Sequence, residues 1–296
     1  MSRPGGLTPF GGSEAAATLD RAAAVILPVP YDGTSTWKKG ADAGPAALLD
    51  ASANMELYDI PTNSEPYRHG IATVAPIDCP SDPETLAGTV EREVGRHLRA
   101  GRLPVVIGGE HSVSIGAIRA VAQAVEPLSV LQIDAHADTR ETYMGSPYNH
   151  ACVMARAREV ASIVQVGIRS IDVSELERLD RSRVIWADEI IGSQPNDSAW
   201  IDRVISLLDA SVYVTIDLDA FDPSIVPATG TPEPGGLTWT QVDTLLTRVA
   251  RARHVAAFDV VELLPTPGQW ASDFLAAKLV YRFLAEILTG SHQPRT

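Results

Sequence analysis

Seven short runs rich in β-branched residues, at 24–27, 104–107, 130–133, 163–166, 183–186, 212–216 and 255–258, alternate with longer amphipathic stretches, and this alternation constrains the fold more than any other feature. The amphipathic stretches, with apolar residues at helical spacing, lie at 82–100, 112–125, 174–179, 199–208, 240–251 and 272–288. Strand and helix in turn predict an α/β protein whose parallel sheet is covered by helices on both faces. In open sheets of this kind, functional residues collect outside the carboxyl ends of the strands, so the residues just past each run matter most. Nothing in the 296 residues reads as a repeat, a low-complexity tract or a linker, and a single domain over 1–296 is expected. Residues 1–20, rich in Gly, Ala, Ser and Thr, are expected to be loose, as is the polar tail at 291–296.

Three of the runs end in residues that carry chemistry. The run at 130–133 leads into Asp134-Ala135-His136-Ala137-Asp138, and the run at 212–216 into Asp217-Leu218-Asp219. Alternate residues of an extended segment point to the same side, so each run aims its acidic and imidazole groups at one place. Carboxylates crowded in this way repel one another and lose hydration on burial, which would neutralise them unless a cation answers. The run at 104–107 ends in Gly108-Gly109-Glu110-His111-Ser112, where two glycines allow a sharp turn that brings His111 over the sheet edge.

Together these motifs offer His111, Asp134, His136, Asp138, Asp217 and Asp219, an oxygen-rich set with two imidazoles and no sulfur. Such donors suit Mn²⁺, with Fe, Co, Ni and Zn open as alternatives. Four aspartates carry four negative charges, which two divalent ions cancel and one does not, so a binuclear centre is expected. Two ions about 3.5–4 Å apart can share a water and lower its pKa, giving a hydroxide nucleophile near neutral pH.

Each motif also has a duller reading. A lone Asp-x-Asp at a strand end is usually a solvated turn; its recurrence behind three strands is what favours a metal. Gly108-Gly109 is no phosphate turn, because neither a GxGxxG nor a GK[ST] pattern is present. His69, His97, His254 and His292 lack comparable company and read as surface or packing residues. Cys152 reads as a small buried hydrophobe rather than a nucleophile, and Trp239 and Trp270 as packing.

Charge and cysteine usage narrow the partners. Lys and Arg total 24 against 37 Asp and Glu, a formal charge of −13, which disfavours nucleic acid and favours a cationic small molecule. Cys79 and Cys152 are too few for a disulfide framework, so a reducing, cytoplasmic location is expected. The apolar run at 22–29 is broken by Pro28 and lacks the pattern of a signal peptide. No stretch approaches the roughly 20 apolar residues of a membrane span.

In combination, Gly108-Gly-Glu-His-Ser112, Asp134-Ala-His-Ala-Asp138, Asp217-Leu-Asp-Ala-Phe-Asp-Pro223, Pro227-Ala-Thr-Gly-Thr-Pro232 and Asp259-Val-Val-Glu-Leu263 resemble the ureohydrolases, the arginase and agmatinase family. Pro30-Tyr-Asp-Gly-Thr34, Lys39-Gly40 and Gly44-Pro45 look like its amino-terminal pattern, so the resemblance runs from about residue 24 to 288. The segments Asn149-His-Ala-Cys-Val-Met154 and Thr231-Pro-Glu-Pro-Gly-Gly-Leu-Thr-Trp239 look most like agmatinases. The resemblance implies a three-layer α/β/α sandwich with an eight-stranded, mainly parallel sheet, two Mn²⁺ per chain, and a homotrimer or homohexamer. Carried over by motif, one ion is held by His111, Asp134, Asp138 and Asp217 and the other by His136, Asp134, Asp217 and Asp219. By the same matching, Glu262 holds a guanidinium and His150 relays protons; Asp138, with an oxygen free, is expected to position the nucleophile, and Thr231 and Glu141 are expected beside the substrate.

Physical chemistry supports those roles. A guanidinium is resonance-stabilised, so water alone is too weak a nucleophile. Glu262 can accept two parallel hydrogen bonds from the planar cation, and His150 has a suitable intrinsic pKa for protonating the departing amine. The expected reaction is therefore attack of a metal-bridging hydroxide on the guanidinium carbon, most simply agmatine and water to putrescine and urea. Within the loop at 139–149, Glu141 favours an ammonium-ended tail, while neighbouring Arg140 could welcome a carboxylate; guanidinobutyrate and then arginine follow agmatine as substrates. Departures from the family pattern, Glu110 where Asp is commoner, Ala151-Cys152 for Gly-Thr, and Leu263-Leu264-Pro265 without a polar residue before the proline, bear on substrate rather than on ligands. The rivals are a catalytically silent metal-binding protein of the same fold, which would lack Glu262 or His150, and a metal-dependent deacetylase, whose catalytic Tyr or paired His has no match here.

Overall fold

A computed structural model describes residues 7–192 and 198–290. Eight strands form one sheet in the order β2-β1-β3-β8-β7-β4-β5-β6. They are β1 (Ala24–Val29), β2 (Ile71–Thr73), β3 (Leu103–Gly108), β4 (Leu128–Ile133), β5 (Ser162–Ile168), β6 (Val184–Trp186), β7 (Ser211–Asp217) and β8 (His254–Val261). Every neighbouring pair is parallel. Parallel strands need crossovers, and among the described residues seven helices lie within them, α1 (Gly44–Ser52), α2 (Pro83–Arg99), α3 (Ser114–Ala124), α4 (Val153–Ala157), α5 (Ala187–Ile191), α6 (Ala199–Leu207) and α7 (Trp239–Ala252), while α8 (Trp270–Thr289) follows β8 and the β5–β6 connection carries only 3₁₀ turns.

Alternation along the strands builds two cores. Val105, Ile107, Val212, Val214 and Ile216 face one way and pack with α1, α6, α7 and α8. Val106, Tyr213, Val25 and Leu27 face the other way and pack with α2, α3 and α4. The result is the expected three-layer α/β/α sandwich with an eight-stranded sheet. Both faces being covered explains why strands such as β1 and β4 are buried at every position, and why they read as continuous apolar runs.

Helix ends follow their local chemistry. Asp82 caps α2 by accepting from the Thr85 N–H at 2.8 Å, and Pro83 fits the first turn, where no amide proton is needed. Thr238 and Gln241 form a reciprocal capping box at α7.

Three expectations need correction. The stretch at 174–179 is not a helix but one 3₁₀ turn, Val173–Glu175, because the Glu175 carboxylate turns inward to accept from the Thr139 N–H at 2.9 Å and hydroxyl at 3.1 Å. Residues 7–20 are not loose. Phe10 is buried with its ring 6.3 Å from that of Tyr281, the Phe10 N–H donates to Thr73 Oγ1 at 2.9 Å, and the Ala17 N–H donates to the Ile71 carbonyl at 3.0 Å. Trp270 is 75% exposed and packs nothing, whereas Trp239 lies against the core. Residues 1–6, 193–197, the tail at 291–296 and His292 lie outside the described residues. Among the described residues no helix is long and apolar enough to cross a membrane.

Candidate metal centre and substrate cleft

Four strands adjacent at the middle of the sheet, β3, β8, β7 and β4, deliver the site. Their carboxyl ends open into a cleft of about 320 Å³. A larger hollow of about 930 Å³ lies at the opposite ends of the strands, among Leu103, Ala210, His254 and Val255, and contains none of the candidate ligands.

The turn after β3 is pressed against the chain leaving β1. The Glu110 N–H donates to the Tyr31 carbonyl at 2.9 Å, and a Cβ at position 109 would stand 2.0 Å from that carbonyl oxygen, so only glycine fits there. His111 follows and is 1% exposed. Its Nδ1 lies 3.0 Å from Asp138, 3.2 Å from Asp134 and 3.4 Å from Asp217, yet it has no hydrogen-bond partner of acceptable geometry. Its Nε2 is fixed 2.8 Å from Thr215 Oγ1, which donates to Asp259 at 2.7 Å. Tyr213 also hydrogen-bonds Asp259.

A second cluster lies alongside. His136 Nδ1 is 2.9 Å from Asp219 Oδ2 and 3.7 Å from Asp134 Oδ1. Ligand atoms of His111, Asp134 and Asp217 all lie within 4.8 Å of one another, and so do those of Asp134, His136 and Asp219. Asp134 belongs to both groups. Backbone amides hold the carboxylates still: the His136 N–H donates to Asp134 at 2.6 Å, the Asp219 N–H to Asp217 at 2.9 Å, and the Ala135 N–H to Asp219 at 3.1 Å.

The electrostatics match a set of ligands in want of a cation. Burial disfavours a charged His111, yet Asp134, Asp138 and Asp217 together hold its imidazole well above the usual range. Burial and the nearby Asp134 push the Asp138 carboxyl up to about 7, and burial with Asp219 and Asp134 raises Asp217 well above its ordinary value. An unpartnered, fully buried ring nitrogen facing three carboxylates is the geometry two divalent ions would relieve. The donor set fits them.

Asp138 and Glu262 adopt left-handed backbone angles, φ 54° and 65°, two of the four positive-φ non-glycine residues among those described. Strain of this kind persists where the surroundings over-determine it. The Glu262 N–H donates to the Gly109 carbonyl at 2.8 Å, and Glu262 Oε1 accepts from the His111 N–H at 2.7 Å. Burial and Glu110 raise the Glu262 carboxyl. His150 lines the cleft with its ring edge-on to Tyr143 at 5.9 Å, and burial, with His111 and His136, pushes its imidazole down to about 4.

Nine of the ten site residues expected from sequence meet at the cleft. His111, His136, Asp138, His150, Asp217, Asp219, Thr231 and Glu262 line it, and Asp134 lies directly beneath. Thr231 Oγ1 is 3.4 Å from Asp219. Glu141 does not belong: its carboxylate is taken by Arg156 at 2.6 Å and by Arg158, away from the lining residues. The acids at the rim are instead Asp172 and Glu175, which face Arg140 at 3.7 and 3.6 Å. Their only sequence signal is a capping box, Asp172-x-x-Glu175. Trp37, 66% exposed, also lines the rim. Arg169, unremarkable in sequence, binds the carbonyls of Asp219 and Glu233 at 2.7 Å each and so ties the loop after β7 to the loop bearing Thr231. Cys152 is fully buried with its thiol pushed up to about 11 by burial and Asp138, an inert packing residue as expected.

Comparison with known proteins agrees with this geometry. The Arginase family profile matches residues 22–285. An N(1)-aminopropylagmatine ureohydrolase from Synechocystis sp. is 38% identical over 286 residues, covering 93% of this chain and 92% of the relative. An agmatinase from Pyrococcus horikoshii is 35% identical over 261 residues, covering 87% and 89%. The crystal structure of agmatine ureohydrolase from Thermoplasma volcanium superposes with a TM-score of 0.87 at 32% identity, covering 96% of this chain and 95% of that one. With the strand-end ligands in place and the match spanning nearly its whole length, the chain belongs to the arginase family and is a hydrolase of the agmatinase type, cleaving carbon–nitrogen bonds of amidines.

Proposed function

We propose that the chain hydrolyses agmatine to putrescine and urea with two Mn²⁺ ions. His111, Asp134, Asp138 and Asp217 would hold one ion and His136, Asp134, Asp217 and Asp219 the other, Asp134 and Asp217 bridging. When bound, such a pair neutralises the carboxylates and lowers the pKa of a shared water toward neutrality. The observation that carries the reading is the convergence of the two ligand clusters on Asp134, beneath a cleft that Glu262 also lines.

The protein's own groups do the rest. Glu262, one oxygen held by the His111 N–H, leaves its other oxygen to grip the guanidinium and turn its carbon toward the carboxylates. Asp138 has an oxygen to spare for orienting the attacking water. Urea release needs a proton on the departing amine nitrogen, and His150 is placed to deliver it. At the rim, Arg140 is already answered by Asp172 and Glu175, which argues against a carboxylate tail and for an ammonium.

A second reading, agmatine extended by an aminopropyl group, is favoured by the names of relatives at 38% identity. Two free cysteines, Cys79 and Cys152, accord with a cytoplasmic location, and a homotrimer or homohexamer is the assembly we infer from the family pattern. Urea release measured after manganese loading, with agmatine, N(1)-aminopropylagmatine, guanidinobutyrate and arginine side by side, tests the substrate. We expect agmatine to give the highest kcat/KM; a higher value for the aminopropyl compound selects the second reading, and one for guanidinobutyrate or arginine overturns both.

A further inference from the structure

The loop leaving β1 carries the Pro30-Tyr-Asp-Gly-Thr34 motif, and the structure fixes it firmly. Asp32 Oδ2 accepts from the Gly40 N–H at 2.6 Å and the Ala41 N–H at 3.2 Å, closing the loop on itself. The Tyr31 carbonyl joins it to the turn at Glu110. Thr34 is thereby set against His150. Its hydroxyl accepts from the His150 backbone N–H at 3.0 Å and lies 3.1 Å from His150 Nδ1.

A hydroxyl has one proton to give and two lone pairs to accept with. One lone pair takes the His150 backbone N–H, and the hydroxyl meets Nδ1 with its remaining capacity. A partner at Nδ1 occupies that nitrogen and leaves Nε2 as the nitrogen that gives or takes a proton.

We propose that Thr34 is a positioning residue that holds the His150 imidazole by Nδ1 and presents Nε2 to the substrate. The inference rests on the proton-donor role proposed for His150. In that step Nε2 of the neutral imidazole takes up the proton that the attacking water gives up, the carbon–nitrogen bond electrons stay with the departing nitrogen, and the proton passes from Nε2 to that nitrogen, leaving His150 neutral again with Nδ1 against Thr34.

The test uses manganese-loaded full-length protein and the fastest of the four guanidino substrates, with kcat, KM and metal content measured for Thr34→Val, Thr34→Ala, Thr34→Ser and His150→Asn. Loss of the hydroxyl in Thr34→Val and Thr34→Ala is expected to lower kcat roughly 10- to 100-fold, with KM within about twofold and two metals retained, as for other residues that orient a working group. Thr34→Ser keeps the hydroxyl and is expected to stay within about threefold of the parent. Wild-type kcat in Thr34→Val or Thr34→Ala, while His150→Asn is slow, overturns the positioning role alone. So does a Thr34→Ser variant as slow as Thr34→Val, because the loss then comes from packing. Unchanged turnover in His150→Asn removes the role of His150 itself, and the inference with it.

Discussion

On the floor of the cleft, Asp134, Asp217 and Glu262 stand at the last residue of a strand or one beyond it, while on the rim Trp37, Arg140 and Asp172 hang from loops. Backbone amides grip the floor carboxylates, at 2.6 Å for Asp134 and 2.9 Å for Asp217, so their positions follow from the register of the sheet itself. At the rim the charges meet through longer ion pairs between side chains, as Arg140 makes with Asp172 and Glu175 at 3.7 and 3.6 Å, although Glu175 is itself buried and held by the Thr139 N–H at 2.9 Å. The Arg140–Asp172 pair, partly open to solvent, is of the kind that contributes little stability. The floor is thus set by the sheet, and the rim, where we propose the substrate tail is read, by loops.

If the floor is a single unit, Asp134→Asn should cost more than any other change, because Asp134 serves both clusters. We expect loss of both ions and a fall in kcat on the order of 10³-fold or more, read by metal analysis and urea release. A variant that kept two ions and normal turnover would break the comparison at its strongest point.

Next in size is Thr215→Val. It removes the partner of His111 Nε2 and cuts His111 off from Asp259, without replacing any proposed ligand. Metal affinity should drop roughly 10- to 100-fold while the helical signal in circular dichroism persists. An unchanged affinity would mean that His111 needs no support from beneath.

A gentler probe is pH. In the metal-free protein burial and Asp134 push the Asp138 carboxyl up to about 7, burial with Asp219 and Asp134 raises Asp217 well above its ordinary range, and the three carboxylates around it raise His111 despite its burial. Metal binding requires all three to lose their protons, so loading near neutral pH releases protons and affinity falls as pH drops through about 7. Asp134 is different: burial works to raise it, but His111 and His136 hold it well below the carboxylate range, so it is already ionised and releases nothing. Calorimetric titration with Mn²⁺ in buffers of different ionisation enthalpy measures the protons released; a value of zero at pH 7 would contradict the crowded-carboxylate picture.

Smallest of all should be the effects at the rim. Glu175→Gln weakens one ion pair to Arg140 and one hold on Thr139, and is expected to raise KM for a cationic substrate up to about tenfold with kcat nearly constant. Glu141→Gln, which touches only Arg156 and Arg158, should change neither constant by more than about twofold, in keeping with the 0.2–1 kcal/mol typical of exposed pairs. A large kcat effect from Glu175 would move it from rim to floor.

The same division decides what can be read from sequence. Period-two carboxylates behind β-branched runs reveal Asp134, His136, Asp138, Asp217 and Asp219, because strand ends point their following residues at one place, although strict alternation stops with the strands: Asp138 is left-handed and Asp219 lies in the 3₁₀ turn Leu218–Ala220. The Gly108-Gly109 turn reveals His111 for a related reason, since only glycine admits the Tyr31 carbonyl. Loops have no such periodicity. Glu141 has the look of a rim acid in sequence but serves two arginines, while Glu175, in a stretch with helical spacing, turns inward to Thr139. Strand β2 escapes a sequence reading because three residues at a sheet edge make no pattern, and the ordering of residues 7–20 because one Phe10 seated against Tyr281 outweighs a flexible composition.

Anomalous diffraction from crystals soaked in manganese tests the central claim most directly. Two peaks about 3.5–4 Å apart are predicted, each in contact with Asp134 and Asp217, one also with His111 and the other with His136 and Asp219. A single peak, or a pair that leaves His111 or Asp219 uncoordinated, would contradict it.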